Sequence, residues 1–415
     1  MLQAALAHGT AGRRSVFELF GRRLPEGRRY GVVAGTGRLL DAVKNFTFDD
    51  DALAALDRTG VVDAATLAWL ADYRFTGDIW GYGEGETYFP YSPMLVVEAG
   101  FAEAVVLETL ALSILNFDSA IASAASRMTT AAGGRPCIEM GSRRTHEWAA
   151  VASARAAYIA GFASTSNLEA GRSYGVPTQG TSAHSFTLLH DSERDAFTAQ
   201  VDSLGKGTTL LVDTYDVAEA VALGVEVAGT DLGAVRLDSG DLLAQAREVR
   251  AQLDALGATD TRIVVTSDLD EHAIAALAVA PVDAYGVGTA LVTGSGAPTA
   301  GLVYKLVARE GAGGELVAVE KKSKDKASVG GRKHALRRRD RHGVAEAEII
   351  GVGHRPTDDG DDRALLVPLI RDGEVVGREP LSAARDRHAA SRAELPPTAL
   401  QMSRGEPVIP TRYEE

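Results

Sequence analysis

Short apolar runs recur through the middle of the chain, and most lead into stretches with helical spacing. They are Cys137–Met140, Gly161–Ser164, Val176–Ser182, Thr208–Thr214, Ala234–Leu237, Arg262–Ser267 and Ala284–Gly288. Runs of this length, alternating with helices, predict parallel βαβ units. Seven such strands, with Val303–Val307 as an eighth or as a partner strand, predict an irregular, closed or nearly closed α/β barrel. An open doubly wound sheet is the second architecture that fits the pattern.

The flanks read differently. Ser15–Phe20 and Tyr30–Gly35 look like short strands, and Asp49–Tyr73 has helical spacing with Leu53, Leu56, Leu67 and Leu70. Gly81–Gly85 is a turn-rich loop, Pro90 and Pro93 mark a boundary, and a long helix is expected over Ala99–Ala131. The longest apolar stretch, Phe101–Met128, is interrupted by Glu103, Glu108, Asn116 and Asp118, so it reads as a buried helix and not as a membrane span. Glu346–Val352 and Leu365–Ile370 look like strands, and Pro397 onward like a tail or edge wrap. The expected plan has three parts: residues 1–95 begin a smaller β-rich domain, 96–310 form the α/β barrel with the active site, and 311–415 complete the small domain.

Composition narrows the picture. The 415 residues carry 43 Lys+Arg against 56 Asp+Glu, a net charge of −13, which argues against a general nucleic-acid or membrane-surface binder. A single cysteine, Cys137, excludes an intramolecular disulfide and a multi-cysteine zinc site; following Pro136 in a strand-like run, it reads as buried filler. A cytoplasmic enzyme is the expected setting. Against this acidic background Lys321–Arg341 stands out, with ten Lys/Arg and two acidic residues. It reads either as a mobile flap over a polyanion or as a solvated loop.

The polar residues at the strand ends form a chemically coherent set. Arg236-Leu237-Asp238-Ser239-Gly240-Asp241 follows an apolar run and opens a helical stretch, so a cation, two carboxylates, a hydroxyl and a glycine meet where a strand gives way to a helix. Its ordinary reading is a capped turn. Glu139–Arg144 ends another run with Arg143 and Arg144, whose planar forks suit carboxylates and phosphates. Ser164–Asn167 offers neutral donors or a helix cap. Gly180-Thr181-Ser182-Ala183-His184-Ser185 places His184 at the barrel mouth, as base, ligand, phosphoryl acceptor or simple structural residue. Asp213 is placed to orient the site, whereas Asp216 reads as a cap. Ser267 or Asp268 is expected to cap the next helix with Glu271 in a capping box. Tyr285-Gly286-Val287-Gly288-Thr289 lets backbone N–H groups approach a phosphate.

Taken together, these motifs resemble the nicotinate phosphoribosyltransferase family, above all the pairing of Arg-Leu-Asp-Ser-Gly-Asp with Gly-Thr-Ser-Ala-His-Ser. The resemblance implies a type II phosphoribosyltransferase fold and a homodimer with shared active sites. It implies that nicotinate and 5-phosphoribosyl-1-diphosphate become nicotinate mononucleotide and pyrophosphate, in NAD biosynthesis, with ATP as co-substrate and Mg²⁺ as cofactor. By position, His184 is then the phosphorylated histidine, and Thr181, Arg236 and Arg143 serve nicotinate. Gly288, Thr289, Ser239, Gly240 and Arg144 serve the phosphoribosyl diphosphate, and Asp238 faces the ribose or its Mg²⁺. Nicotinamide phosphoribosyltransferase, or a catalytically silent paralogue or sensor, are the alternatives; quinolinate phosphoribosyltransferase is disfavoured by the setting of His184. Family members usually begin with a Thr-Asp-x-Tyr-x-x-Thr-Met-like segment whose aromatic residue stacks on the pyridine ring. This sequence begins at Met1-Leu2-Gln3, where that motif ends. Loss of the stacking face is therefore expected to weaken nicotinate binding by about 1–3 kcal/mol.

Overall fold

The parallel strands expected in the middle of the chain form one six-stranded sheet in the order Ser164–Thr165, Cys137–Glu139, Ala284–Val287, Arg262–Val265, Ala234–Leu237, Thr209–Leu211. Every neighbouring pair is parallel. The structure is a computed structural model that describes residues 1–321 and 328–414. Chain contacts divide it into two units, residues 124–298 and residues 1–123 with 299–415. The helix Glu108–Ala131 carries the chain from one to the other.

Two of the expected barrel strands behave differently. Val176–Ser182 contributes only a parallel bridge from Thr178 to Thr165; Pro177 has no N–H to donate, and Gly180 adds flexibility without packing. Val303–Val307 lies in the long strand Leu302–Glu310, which pairs antiparallel with Arg14–Gly21 in the other unit. The parallel sheet therefore stays open, with no strand pairing its two ends among the described residues. Its strands are almost wholly buried, as sheets covered on both faces require. Cys137 lies in this core, and burial pushes its thiol up to about 12.

The unit built from both chain ends is the larger by residue count. Its main sheet has seven antiparallel strands, in the order Leu316–Ala318, Leu302–Glu310, Arg14–Gly21, Leu95–Gly100, Asp78–Tyr82, Leu366–Arg371, Glu374–Val375. A second sheet joins Arg363–Ala364, Lys333–Arg339, Ala345–Val352 and Thr411–Glu414, the last as a parallel edge strand, so the C-terminal segment does wrap an edge. Phe17 stacks on Tyr304 across the main sheet with ring centroids 4.9 Å apart. Asp49–Tyr73 splits into two helices, Asp50–Thr59 and Ala64–Ala71, each capped by an aspartate, Asp49 and Asp63. The long helix expected over Ala99–Ala131 instead begins as strand to Gly100 and then runs as Phe101–Val106 and Glu108–Ala131. No helix among the described residues is long and apolar enough to cross a membrane.

The basic stretch needs a correction. Residues 322–327 lie outside the described residues, but Lys333–Arg339 is a strand, neither a mobile flap nor a solvated loop. Lys333 forms a buried ion pair with Glu18, and Arg337 is wholly buried. The Arg337 guanidinium donates to Glu348 at 2.8 Å and to the Thr87 hydroxyl at 3.0 Å, and lies over the Phe89 ring. Glu348 in turn accepts from Tyr82 and Ser92.

Removing one partner of such a pair strands the other charge in a low-dielectric core. Arg337→Met is expected to destabilise this unit by about 3–5 kcal/mol. The double variant Arg337→Met, Glu348→Leu should recover part of that loss. The first unfolding transition in urea checks both, and an unchanged midpoint in the single variant would contradict the assignment.

Candidate functional site

The C-terminal ends of the parallel strands converge on two adjoining cavities of about 220 and 370 Å³. Both are lined by Met140, Arg143, Arg236 and Asp238. Sheet register explains the convergence: Arg236 and Leu237 lie beside Val264 and Val265, so Asp238 meets Thr266 one residue further on. The smaller cavity adds Arg144, Gly288 and Thr289; the larger adds Thr181 and His184.

Arg236 is the hub. It is buried, and its Nε donates to the Thr266 hydroxyl at 2.9 Å. Nη1 donates to the Thr181 hydroxyl at 2.7 Å and to the Ser182 carbonyl at 3.2 Å, while Nη2 pairs with Asp238 at 3.0 Å. These contacts leave one Nη2 hydrogen for a ligand. Half-burial alone would push the Asp238 carboxyl up, but a hydrogen bond from Thr266 and the charges of Arg236 and His184 hold it below the ordinary range. Asp238 is therefore an anion at neutral pH.

His184 opens the helix His184–Leu189 and keeps its ring partly exposed. Nδ1 lies 3.2 Å from the Thr214 hydroxyl. Nε2 lies 3.8 Å from both Asp213 and Asp238, too far for hydrogen bonds. Asp213 Oδ2 accepts from the Asp238 backbone and the Ser239 hydroxyl, whereas its buried Oδ1 has no hydrogen-bond partner. That leaves a buried acceptor open to a donor or a cation.

Arg143 and Arg144 are exposed and have no ion-pair partner among the described residues. They sit on the short turn Ser142–Arg144, which the wholly buried Glu139 holds by accepting from the Gly141 N–H and the Thr165 hydroxyl. A side chain at Gly141 would collide with Val292. Ser267, on the wall of the smaller cavity, has φ +109°, a strained setting of the kind that accumulates at functional sites.

Most residues expected to act together do meet here: His184, Thr181, Arg236, Asp238, Arg143, Arg144, Gly288 and Thr289 line one or both cavities. Ser239 and Gly240 line neither; Ser239 spends its hydroxyl on Asp213. Asn167, Asp216 and Asp241 are helix caps. The cap expected at Ser267 or Asp268 is supplied by Asp270 instead, and Glu271 pairs with Arg127 at 3.0 Å. Thr266, Thr214 and Glu139 were not singled out for roles in the sequence. Thr266 follows the strand Arg262–Val265 directly and Thr214 lies three residues past Thr209–Leu211, but which neighbours their hydroxyls reach is a matter of register.

The family model for the N-terminal domain of nicotinate phosphoribosyltransferase (NAPRTase) matches residues 1–116. The chain is 58% identical over 421 residues to nicotinate phosphoribosyltransferase pncB1 of Mycobacterium tuberculosis, covering 99% of this chain and 92% of the relative. It is 37% identical to nicotinate phosphoribosyltransferase of Bacillus subtilis, covering 79% and 69% respectively. Among solved structures, human nicotinic acid phosphoribosyltransferase is similar with a TM-score of 0.84 at 24% identity, covering 99% of this chain and 96% of that one. The fold is thus that expected of a type II phosphoribosyltransferase.

Burial pushes the Glu139 carboxyl up, against the lowering effect of Thr165 and the Gly141 N–H. A carboxyl whose native pKa is raised stabilises the fold below its unfolded pKa, and this contribution is lost as pH rises through the native value. Glu139→Gln removes that loss. The melting temperature of the variant relative to the parent is therefore expected to be higher at pH 8 than at pH 5; an equal offset at both would contradict the assignment.

Proposed function

The chain belongs to the nicotinate phosphoribosyltransferase family, and from that premise we propose that it makes nicotinate mononucleotide from nicotinate and 5-phosphoribosyl-1-diphosphate. The pyridine nitrogen forms the new bond to the ribose anomeric carbon as the bond to the diphosphate oxygen breaks, and pyrophosphate leaves. We assign ATP as a co-substrate whose terminal phosphoryl group passes to His184. The observation that carries this reading is the pair of adjoining cavities that share Arg236 and Asp238 and expose two unpaired arginines in a protein of net charge −13.

Arg143 lines both cavities and has an open fork, so it takes the nicotinate carboxylate, with the last Nη2 hydrogen of Arg236 and the Thr181 hydroxyl beside it. Arg144, Gly288 and Thr289 take the phosphate groups in the smaller cavity. Asp238 lies where positive charge develops on the ribose, and anionic groups fixed there favour that state over the ground state. Asp213 Oδ1 and Asp238 are hard oxygen donors suited to magnesium. We assign them to an ion that arrives with the diphosphate. When bound, such an ion would supply charge that offsets that of the leaving pyrophosphate.

The two aspartates facing Nε2 favour the tautomer protonated there; the Nδ1 lone pair then accepts from the Thr214 hydroxyl and gives up that hydrogen bond when it attacks the phosphorus. The N–P bond forms, the P–O bond to ADP breaks, and ADP leaves. The new phosphoryl group adds about −1.5 to −2 charge by analogy with other phosphorylated side chains. Trp148, Leu168, Leu188, Leu189 and Tyr215 are large apolar residues left exposed on this unit, and we assign them to a homodimer contact that joins the sites of two copies. The setting we assign is the cytoplasm, in NAD biosynthesis.

The direct test follows ADP and mononucleotide together, with phosphoribosyl diphosphate, Mg²⁺ and ATP present and with nicotinate, nicotinamide or neither added. Nicotinate-dependent formation of both products is expected; product with nicotinamide alone would overturn the substrate assignment. His184→Ala should abolish nicotinate-stimulated ATP hydrolysis yet leave slow ATP-independent transfer, and full coupling in that variant would sink the phosphohistidine. Thr266→Val frees both Arg236 and Asp238 from their shared hydroxyl. It should lower kcat/KM by about tenfold or more, the scale of one hydrogen bond to a charged group.

A further inference from the structure

A third cavity, of about 390 Å³, lies within the unit built from both chain ends. Trp80 and Leu366 of the seven-stranded sheet and Leu336 of the four-stranded sheet give it an apolar wall; Arg332, His334 and Arg355 give it a cationic one. Its volume falls within the usual range for small-molecule sites, about 300–1,000 Å³.

The charge around it is unbalanced. Arg332 pairs with Glu98 at 2.9 Å, but Glu98 also faces Arg14 at 3.5 Å. The Arg371 guanidinium carbon lies 4.1 Å from the Trp80 ring centroid, and Arg332 also lies over that ring, at 5.4 Å. Arg355 is exposed and has no ion-pair partner among the described residues. Against these four guanidinium groups, of which Arg332 and Arg355 line the cavity, stand Glu98 and, on the wall, Asp358; the carboxylates of Asp359 and Asp362 cluster with Asp358 but are met by Arg338. His334 reports the same field: burial, then Arg332 and Arg355, hold its imidazole down to about 4. Only the part owed to the two arginines, and not the larger part owed to burial, reflects a field that also attracts an anion.

We propose that this cavity binds a mononucleotide-sized anion, with its flat ring against Trp80, Leu336 and Leu366 and its phosphate on Arg355 and Arg332. Guanidinium planes and an indole both stack on heteroaromatic rings, and the forked donors of arginine match phosphate oxygens. A bare inorganic anion would leave the apolar wall unused. The proposal does not depend on the reaction assigned to the parallel-sheet site.

The test is calorimetric titration of the full chain with AMP, and separately with inorganic phosphate. An Arg143→Ala, Arg144→Ala background disables the parallel-sheet cavities. In that background AMP is expected to bind saturably, and more tightly than phosphate. Adding Arg355→Ala should weaken AMP binding by about tenfold or more, the scale of one charge-assisted hydrogen bond. Arg355 is exposed, so its truncation leaves the core intact. Four outcomes would overturn the proposal. They are no binding of AMP to the intact chain, loss of its binding in the Arg143→Ala, Arg144→Ala background, an affinity insensitive to Arg355→Ala, and phosphate binding as tight as that of AMP.

Discussion

A guanidinium group buried at the end of a parallel strand is the constraint on which the functional centre depends. Removing Arg236 from water is costly, and the cost is offset only if its donors are met with good geometry. Two threonine hydroxyls, a backbone carbonyl and Asp238 meet them, and these come from three separate strand ends. The need to satisfy one cation thus ties together the loops after Thr178, Leu237 and Val265. Those loops carry Thr181 and His184, Asp238, and the strained Ser267.

The division of labour among the arginines follows from burial. Arg236, with all but one of its donors met by protein partners, is chiefly a structural charge that sets the position and ionisation of Asp238. Arg143 and Arg144, on an exposed turn anchored by Glu139, keep their donors open. Fixed charges in the floor and open charges at the rim give a cavity whose floor is held by protein partners while its rim donors stay open. His184 sits between two carboxylates, one of them with an unpartnered buried oxygen, so its surroundings respond to any added charge.

The unit built from both chain ends uses cations differently. Lys333 and Arg337 come from the most basic part of an acidic chain, yet both are enclosed and paired with Glu18 and Glu348. Glu18 sits in a strand whose neighbours Phe17 and Leu19 are both buried, so it can be accommodated there only with a partner. Arg363 bridges Glu86 and Glu394 in the same region. These pairs join residues up to several hundred positions apart in sequence, and they tie the C-terminal strands to the N-terminal ones.

Local pattern determined a good deal. Period and run length identified the parallel strands from Cys137 to Val287, and the strand-end position of the Arg236–Asp241 and Gly180–Ser185 motifs placed the site. The caps at Asn167 and Asp216 were also legible, because capping is a contact between near neighbours in the chain. Other outcomes depended on tertiary structure. Val303–Val307 has the same apolar character as a barrel strand, and only its antiparallel pairing with Arg14–Gly21 assigned it elsewhere. Lys333 and Arg337 look like a solvated charge run until distant glutamates enclose them. Thr266 became a linchpin because sheet register sets its hydroxyl against Arg236 and Asp238. Sequence records what a residue can donate, accept or bury; which partner it meets is set by long-range pairing, where closing the chain costs entropy that only the assembled core repays.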